Sequence, residues 1–353
     1  MSNPNQGTLD AFVPSHMSSD AAAVSGRIDR IIWPASSKPP FLGFVQPHVF
    51  GADQQGLPLT TLLGERIRVQ LQNEQFCTTC GAPAEQSPCS GCVGEPPFTT
   101  CVKQPAKECR YADCPYPDYK EQSCAHEFVV YLVAAGEVKV GITKRTRTLA
   151  RWQEQGATHA LPFATAPNRK AAGIIEKAVS QSTDIGQRLT HEWYVPIDDP
   201  EESLVSALLE ARTAVPERLA GCLRWSNPPS RTNLHREVVS VPCLDTPELD
   251  HRLASRHGQL RPGNAREGRV VGVRGPLIAT DSFVINTRRH AGHGITIEAE
   301  APFVESFNAE PSANAKTQPN GGKQAVPDGG ESCGTDTETD TDTDIKYPAA
   351  DYF

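Results

Sequence analysis

Two C-x2-C units, Cys77-Thr78-Thr79-Cys80 and Cys89-Ser90-Gly91-Cys92, stand eight residues apart, and nothing else in the sequence restricts the fold as strongly. A C-x2-C turn aims both sulfurs at one point. Two such knuckles complete a tetrahedral four-sulfur site of the kind that suits zinc. Gly81 and Gly91 allow the tight backbone that a metal knuckle needs. A redox C-x2-C pair and an iron–sulfur cluster are the other chemistries that such thiols serve. A second set, Cys101, Cys109, Cys114 and Cys124, follows at spacings of seven, four and nine intervening residues. Residues 77–126 are turn-rich and poor in regular pattern, so this stretch needs a staple other than a hydrophobic core. The second set is therefore expected to hold a second zinc through its four thiols; His126 is an alternative to one of them, though a lone His more often lies at a surface or packs. Four protein ligands leave no coordination position open to water, so both zincs are read as structural.

Eight of the eleven cysteines lie between Cys77 and Cys124. Cys222, Cys243 and Cys333 are isolated and read as ordinary thiols. The N-terminus, MSNPNQGTLDAFVPSH, has neither the basic nor the apolar region of a secretory signal. The thiols are therefore read as reduced or metal-bound, and the protein as cytoplasmic. No apolar run approaches the roughly 18 residues of a membrane helix; the best, Phe128 to Ala135, is too short. Net charge is −8. Residues 301–353 hold three Lys against ten Asp or Glu, a charge of −7, which leaves −1 for residues 1–300. The acidic balance thus belongs to the tail and does not exclude a nucleic-acid partner for the rest.

Changes of pattern divide the chain. Residues 1–27 read as a flexible leader and 28–76 as an N-terminal β segment, in which Arg66 to Leu71 alternates with a period of two. Residues 77–126 form the cysteine-rich module. Residues 127–200 read as an α/β domain. There Phe128 to Val133 and Val138 to Thr143 form a hairpin, Thr148 to Gln155 a helix ending at Gly156, Leu161 to Ala166 a strand, and Lys170 to Gln181 a second helix. Residues 201–233 read as a helical connector with an amphipathic helix over 203–220. Residues 234–300 read as a C-terminal β segment, with Arg269 to Pro276 and Ser282 to Asn286 as hairpin arms around a turn near Asp281. The Thr-Asp repeat within 301–353 cannot bury a core and reads as disordered. The expected class is α+β, a zinc-stapled multidomain protein.

The central β-β-α-β-α order carries Tyr131 on the first strand, Lys139-Val140-Gly141 on the second, Arg151 on the first helix and Glu176 on the second. In this order of residues it resembles the GIY-YIG nuclease superfamily. Val129-Val130-Tyr131 stands where the GIY tripeptide would be, and Lys139-Val140-Gly141 where YIG would be, similar to the KIG variant of phage-related members. The resemblance implies Glu176 as the ligand of Mg²⁺ or Mn²⁺, Arg151 as the clamp on the scissile phosphate, and Tyr131 as an orienter of water. Lys139 takes the place of the second tyrosine, the proposed activator of the attacking water. A lysine does that work only if burial or nearby cations depress its pKa. The basic run Lys144-Arg145-Thr146-Arg147 is suited to a nucleic-acid backbone. Trp152 is suited either to stacking a base or to packing a core.

From about Leu59 to Ile295 the chain also resembles an uncharacterised prokaryotic family, domain of unknown function 2797. The match rests on Leu62-Leu63-Gly64, the cysteine sets, Arg151-Trp152-x2-Gln155-Gly156-Ala157, Gly272-Val273-Arg274-Gly275 and Val284-Ile285-Asn286-Thr287-Arg288. It implies an architecture without an activity. Arg288, Arg289, His290 and His293 make a further basic stretch, either an extension of a groove or a guarded sheet edge. The reading is a zinc-containing protein that engages nucleic acid, DNA or RNA, as a metal-dependent phosphodiesterase. The alternatives are a non-catalytic nucleic-acid-binding module and a zinc-dependent protein-interaction scaffold.

Overall fold

The computed structural model describes residues 22–34, 40–45, 56–187, 196–246, 248–254 and 258–300. The expected acidic tail and Cys333 lie outside them. The elements begin with β1 (Ala22–Ile32), β2 (Phe41–Val45), β3 (Gly56–Pro58) and β4 (Arg66–Gln75). Three short helical segments follow, α1 (Thr100–Lys103), α2 (Pro105–Glu108) and α3 (Pro117–Tyr119). The centre holds β5 (Phe128–Ala134), β6 (Val138–Lys144), α4 (Thr148–Glu154), β7 (His159–Ala166) and α5 (Arg169–Ser182). Then come α6 (Pro200–Ala211), α7 (Arg231–Glu237), β8 (Val239–Ser240), β9 (Leu244–Asp245) and α8 (Leu249–Ala254). The chain closes with β10 (Ala265–Arg274), β11 (Leu277–Thr280), β12 (Val284–Asn286) and β13 (His293–Ala299). Among the described residues the protein is thus a mixture of helix and sheet.

These strands form two antiparallel sheets. The smaller has the order β6-β5-β7-β8. Its central strand β5 is buried at every position. The strand's period of two explains how both faces are covered. Phe128, Val130, Leu132 and Ala134 pack against Ala172, Ile175 and Val179 of α5 and Leu204, Val205 and Leu208 of α6. Val129, Tyr131 and Val133 face the other way, onto Trp152 of α4, Ala157, Ala160 and Val241. Each Leu or Ile so enclosed contributes about 1.5–3 kcal/mol.

The larger sheet has nine strands, ordered β12-β11-β10-β4-β13-β1-β2-β3, with β9 paired to β10. The two flanking β segments are therefore one body. Strand β4 lies between β10 and β13, with Ile67 opposite Gly268 on one side and Ala299 on the other. Its core gathers Ile28, Leu42, Ile67, Val69, Leu71, Val270, Ile295 and Ile297, all at most 1 % exposed. Ala150 of α4 joins this core, while Trp152 two residues on joins the smaller sheet's, so α4 is wedged between the two.

Three expectations need correction. Strand β1 begins at Ala22, so residues 22–27 of the expected leader are sheet, held by β13 from Ala22↔Ala299 to Arg27↔Gly294. The helix expected over 203–220 ends at Ala211 and breaks into 3-10 turns at Arg212–Ala214 and Glu217–Cys222. Pro216 between them has no N–H with which to continue a helix. The segments 269–276 and 282–286 are not partners. The chain reverses at Gly275-Pro276, and β11 pairs with β10 (Val273↔Ile278) and with β12 (Ile278↔Ile285).

Candidate functional site

The thiol cluster grows from the end of β4. Phe76 pairs with Pro83 and its N–H donates to the Gly292 carbonyl at 3.0 Å, which ties the knuckle to the C-terminal strand. The Arg27 guanidinium covers the Phe76 ring at 3.4 Å. Cys77, Cys80, Cys89 and Cys92 bring their four sulfurs within 4.8 Å of one another, a group that can hold a metal ion. The knuckle turn closes with the Gly81 N–H on the Cys77 carbonyl at 2.8 Å, and its counterpart with the Cys92 N–H on the Cys89 carbonyl at 2.9 Å. The N–H groups of Thr79 and Cys89 both donate to Cys77 Sγ at 3.4 Å. Burial raises the Cys77 thiol, but the backbone N–H groups of Cys80, Cys89 and Thr79 outweigh it and bring the thiol down to about 6. Hydrogen bonds to sulfur favour the thiolate, which is the form that binds metal.

The second set is spread over four short elements. Cys101 lies in α1, Cys109 caps α2, Cys114 occupies the next turn and Cys124 ends a short π-helical turn. Burial, then the thiolates of Cys101 and Cys124, push Cys109 up to about 11, with Cys114 adding to it, so the four sulfurs lie within electrostatic reach of one another. Among the described residues, the first four cysteines alone are drawn together closely enough to form a group that can hold a metal. His126 is exposed, and its Nε2 meets the Gln122 carbonyl at 3.1 Å. This module packs on α5: a Cβ on Gly173 would stand 2.5 Å from Pro105 Cγ.

The structure brings Tyr131, Lys139, Arg151 and Glu176 to one place. Tyr131 and Gly141 face each other across β5 and β6. The ring lies on Gly141 so closely that a Cβ there would stand 2.8 Å from the tyrosine hydroxyl. The Tyr131 hydroxyl donates to Gln155 Oε1 at 3.1 Å, and Trp152 meets its ring edge-on at 5.9 Å. Gln155 closes α4, and Gly156 takes φ of +72° in the left-handed region that glycine occupies without cost. Tyr131 is fully buried, which raises its pKa; Arg151 pulls against this and Glu176 adds to it.

Lys139 lies on the same face, opposite Val133, and is 7 % exposed. Burial first, then the charges of Arg151 and Arg288, lower it to about 7, against the pull of Glu176 and Glu137. Glu176, partly exposed on α5, is raised to about 7 by burial, against Lys139, Arg151, Arg169 and Lys177. Arg151 keeps 39 % of its side-chain surface and pairs with Glu154 at 3.0 Å. Around Glu176 the cations outnumber the carboxylates, a field suited to an anion.

The expected phosphate-binding run is placed differently. Arg145 is exposed but pairs with Glu127 at 3.0 Å, Arg147 pairs with Glu154, and Lys144 Nζ donates to the Gln122 carbonyl. Exposed pairs of this kind contribute about 0–1 kcal/mol and exchange readily for a phosphate. Trp152 is 5 % exposed and belongs to the core, so its indole is not presented to a base. Two residues join the cluster that helix and strand spacing do not assign to it, Gln155 and Arg288. Arg288 stands about 150 positions after Lys139 in the chain, beyond any local pattern.

Among the described residues no helix is long and apolar enough to cross a membrane. Residues 64–295 match the model of a family described as "Protein of unknown function (DUF2797)". No curated protein and no solved structure matches the chain.

Proposed function

This chain belongs to the DUF2797 family, and from that premise we propose that it is a zinc-stapled, metal-dependent phosphodiesterase acting on nucleic acid, with a GIY-YIG-like centre. One observation carries the reading: Tyr131, Lys139, Arg151 and Glu176 converge from β5, β6, α4 and α5. Lys139, largely desolvated and held near neutrality by the cations beside it, is the base. It takes a proton from the attacking water as the new O–P bond forms and the bond to the leaving oxygen breaks, and the leaving oxygen is protonated from solvent. Arg151, still partly open to solvent, releases Glu154 and holds two phosphate oxygens. Tyr131, fully buried and fixed by Gln155 and by its seat on Gly141, would orient the attacking water only once substrate binding opens its hydroxyl to the pocket. Glu176 would hold Mg²⁺ or Mn²⁺; the cations around this carboxylate oppose a lone divalent ion, so the metal would enter together with a phosphate whose charge offsets them. Bound there, the metal supplies Lewis-acid stabilisation of charge on the phosphoryl oxygens. The metal of the four-cysteine cluster is zinc, and Cys101, Cys109, Cys114 and Cys124 would have to draw closer to hold a second; both are structural.

The test is cleavage of single- and double-stranded DNA and RNA by zinc-loaded protein with Mn²⁺ or Mg²⁺, beside Glu176→Ala. Cleavage by the parent should fall at least about a hundredfold in the variant. Equal cleavage by both would sink the assignment. The presence of Lys139 at the position of the second tyrosine favours a second reading, a non-catalytic nucleic-acid-binding module. Binding without cleavage by the parent on every substrate would select it. Failure to bind even at low salt, where phosphate contacts are strongest, would leave the zinc-dependent protein-interaction scaffold.

A further inference from the structure

Two histidines of the larger sheet have no part in the site above. His290 lies in the turn between β12 and β13, and His293 opens β13. The turn is pinned at both ends. The Thr287 hydroxyl donates to the Pro276 carbonyl at 2.9 Å, and the Gly292 N–H donates to the Ile28 carbonyl at 2.7 Å. Gly292 has φ of +85°, and a Cβ there would collide with the Phe76 carbonyl. Between these anchors the His290 N–H donates to the Asn286 carbonyl at 3.2 Å and the His293 N–H to the His290 carbonyl at 3.0 Å. The two imidazoles are held side by side, with centroids 5.9 Å apart and planes at 78°.

The nitrogens of these rings are not equivalent. His293 Nδ1 lies 3.1 Å from the Gln72 carbonyl. A carbonyl only accepts, so Nδ1 carries the hydrogen and Nε2 of the neutral ring has the lone pair. His290 is 5 % exposed, and its Nε2 is buried with no hydrogen-bond partner. The ring faces the Leu260 carbonyl, and with Nε2 unpartnered that contact falls to Nδ1. Burial first, then the charge of His293, holds this imidazole down to about 4, so at neutral pH its Nε2 has a lone pair too. A buried acceptor without a donor is costly and rarely left so. An Nδ1–H held by a backbone carbonyl, with Nε2 free, is the arrangement that orients metal-binding histidines. A nitrogen about 2.0–2.1 Å from zinc puts its ring centroid about 3 Å from the ion, so two imidazoles on one ion have centroids about 5–6 Å apart. We propose that His290 and His293 hold one zinc ion between their Nε2 atoms, at a site separate from both cysteine sets and independent of the phosphodiesterase reading. His293, partly exposed, is the ring that turns to admit the ion. Two protein ligands leave at least two positions of a tetrahedral ion open. This zinc is therefore exchangeable and takes water or a small anion as its further ligands. Arg289, whose Nη1 donates to Gln259 Oε1 at 2.8 Å, opposes a bare cation here and favours an anion in one open position. Binding is accordingly expected to be on the order of micromolar.

The test is zinc binding by the full chain at neutral pH, measured by equilibrium dialysis once the tightly bound zinc of the cysteines is saturated. The parent should hold one further zinc. His290→Ala and His293→Ala should each weaken that ion at least about a hundredfold, the upper end of what loss of an outer-shell partner alone costs. His251→Ala, which removes an exposed histidine of α8, should leave it unchanged. Because His290 is buried, its variant also reports on folding; His293→Ala, checked for an unchanged thermal midpoint, keeps the test independent of that. Imidazole nitrogen spectra of the parent give a second readout: zinc should shift Nε2 of both rings and leave each Nδ1 protonated. A parent that binds no zinc beyond its cysteines overturns the proposal, as does a further zinc that survives His293→Ala. Zinc that shifts neither Nε2 overturns it as well.

Discussion

Lys139 and Glu176 have ionisation behaviour that exposed residues of their type lack, and stability should report it. Burial, against the surrounding cations, lifts Glu176 from an ordinary 4.5 to about 7. Its folded form therefore keeps a proton that the unfolded form has lost. The stability this confers is fully present below pH 4.5 and is lost as pH rises through about 7. Lys139 is displaced the other way, by burial and then by Arg151 and Arg288, from 10.5 to about 7. Its folded form gives up a proton that the unfolded form still holds, so a cost present below pH 7 disappears as pH rises to 10.5. Together they predict a stability minimum near pH 7 that is flattened in Lys139→Met/Glu176→Gln. Urea midpoints of the two proteins from pH 5 to 10 measure the difference; parallel curves would show that neither group is desolvated as described. Tyr131, Lys139, Arg151 and Glu176 were legible as candidates because each occupies a recognisable place on a recognisable element. Their environment was not. Burial of Lys139 depends on what packs over β6, and the partners of Arg145 and Arg147, Glu127 and Glu154, are found only once the hairpin and α4 have folded.

At the scale of elements, α5 is the part on which the site most depends. It carries Glu176 toward the cluster, buries Ala172, Ile175 and Val179 against β5, and receives the cysteine module at Gly173. Asn168 caps it, with Oδ1 accepting the Ala171 N–H at 2.9 Å. The hydrophobic period of this helix was readable within a residue or two at each end, as were the hairpin and α4, because each is a local pattern with a turn or stop residue beside it. Gly173 was not readable as significant, since a glycine inside a helix signals only a loss of about 1 kcal/mol against alanine. Its reason is steric: a Cβ would meet Pro105 Cγ at 2.5 Å and the Ala106 nitrogen at 3.1 Å. Gly173→Ala should therefore gain in helix propensity and still lose about 1–3 kcal/mol overall, through forced separation of α2 from α5. Thermal denaturation with and without a chelator checks this. The penalty should shrink in chelator if a metal holds the module in place; an equal penalty with and without chelator would mean that no metal seats α2 on α5.

For the molecule as a whole, the connection of the first strands to the last was the least legible feature. Alternation marks a strand but not its partner, and β4 meets β10 and β13 across some two hundred positions of sequence. The consequence is a sheet that neither end of the chain completes by itself. It matters for the site because α4 is seated in both cores, so Arg151 holds its position only while the two sheets remain in contact. Ile297 tests this coupling: it is fully buried, on β13, opposite Val24 of β1 and Val69 of β4. Ile297→Ala should cost about 2–5 kcal/mol, the range for emptying a buried aliphatic site. The distribution of that loss is the more informative result, because stability is not uniform across a structure and cooperative units open together. Hydrogen exchange should show faster opening in 66–75 and 293–299, which border the new cavity, and also in 148–154, whose Ala150 packs into the same core. Residues 200–211, on the far face of the smaller sheet, should keep the protection of the parent. If 148–154 also kept it, α4 would be held by the smaller sheet alone.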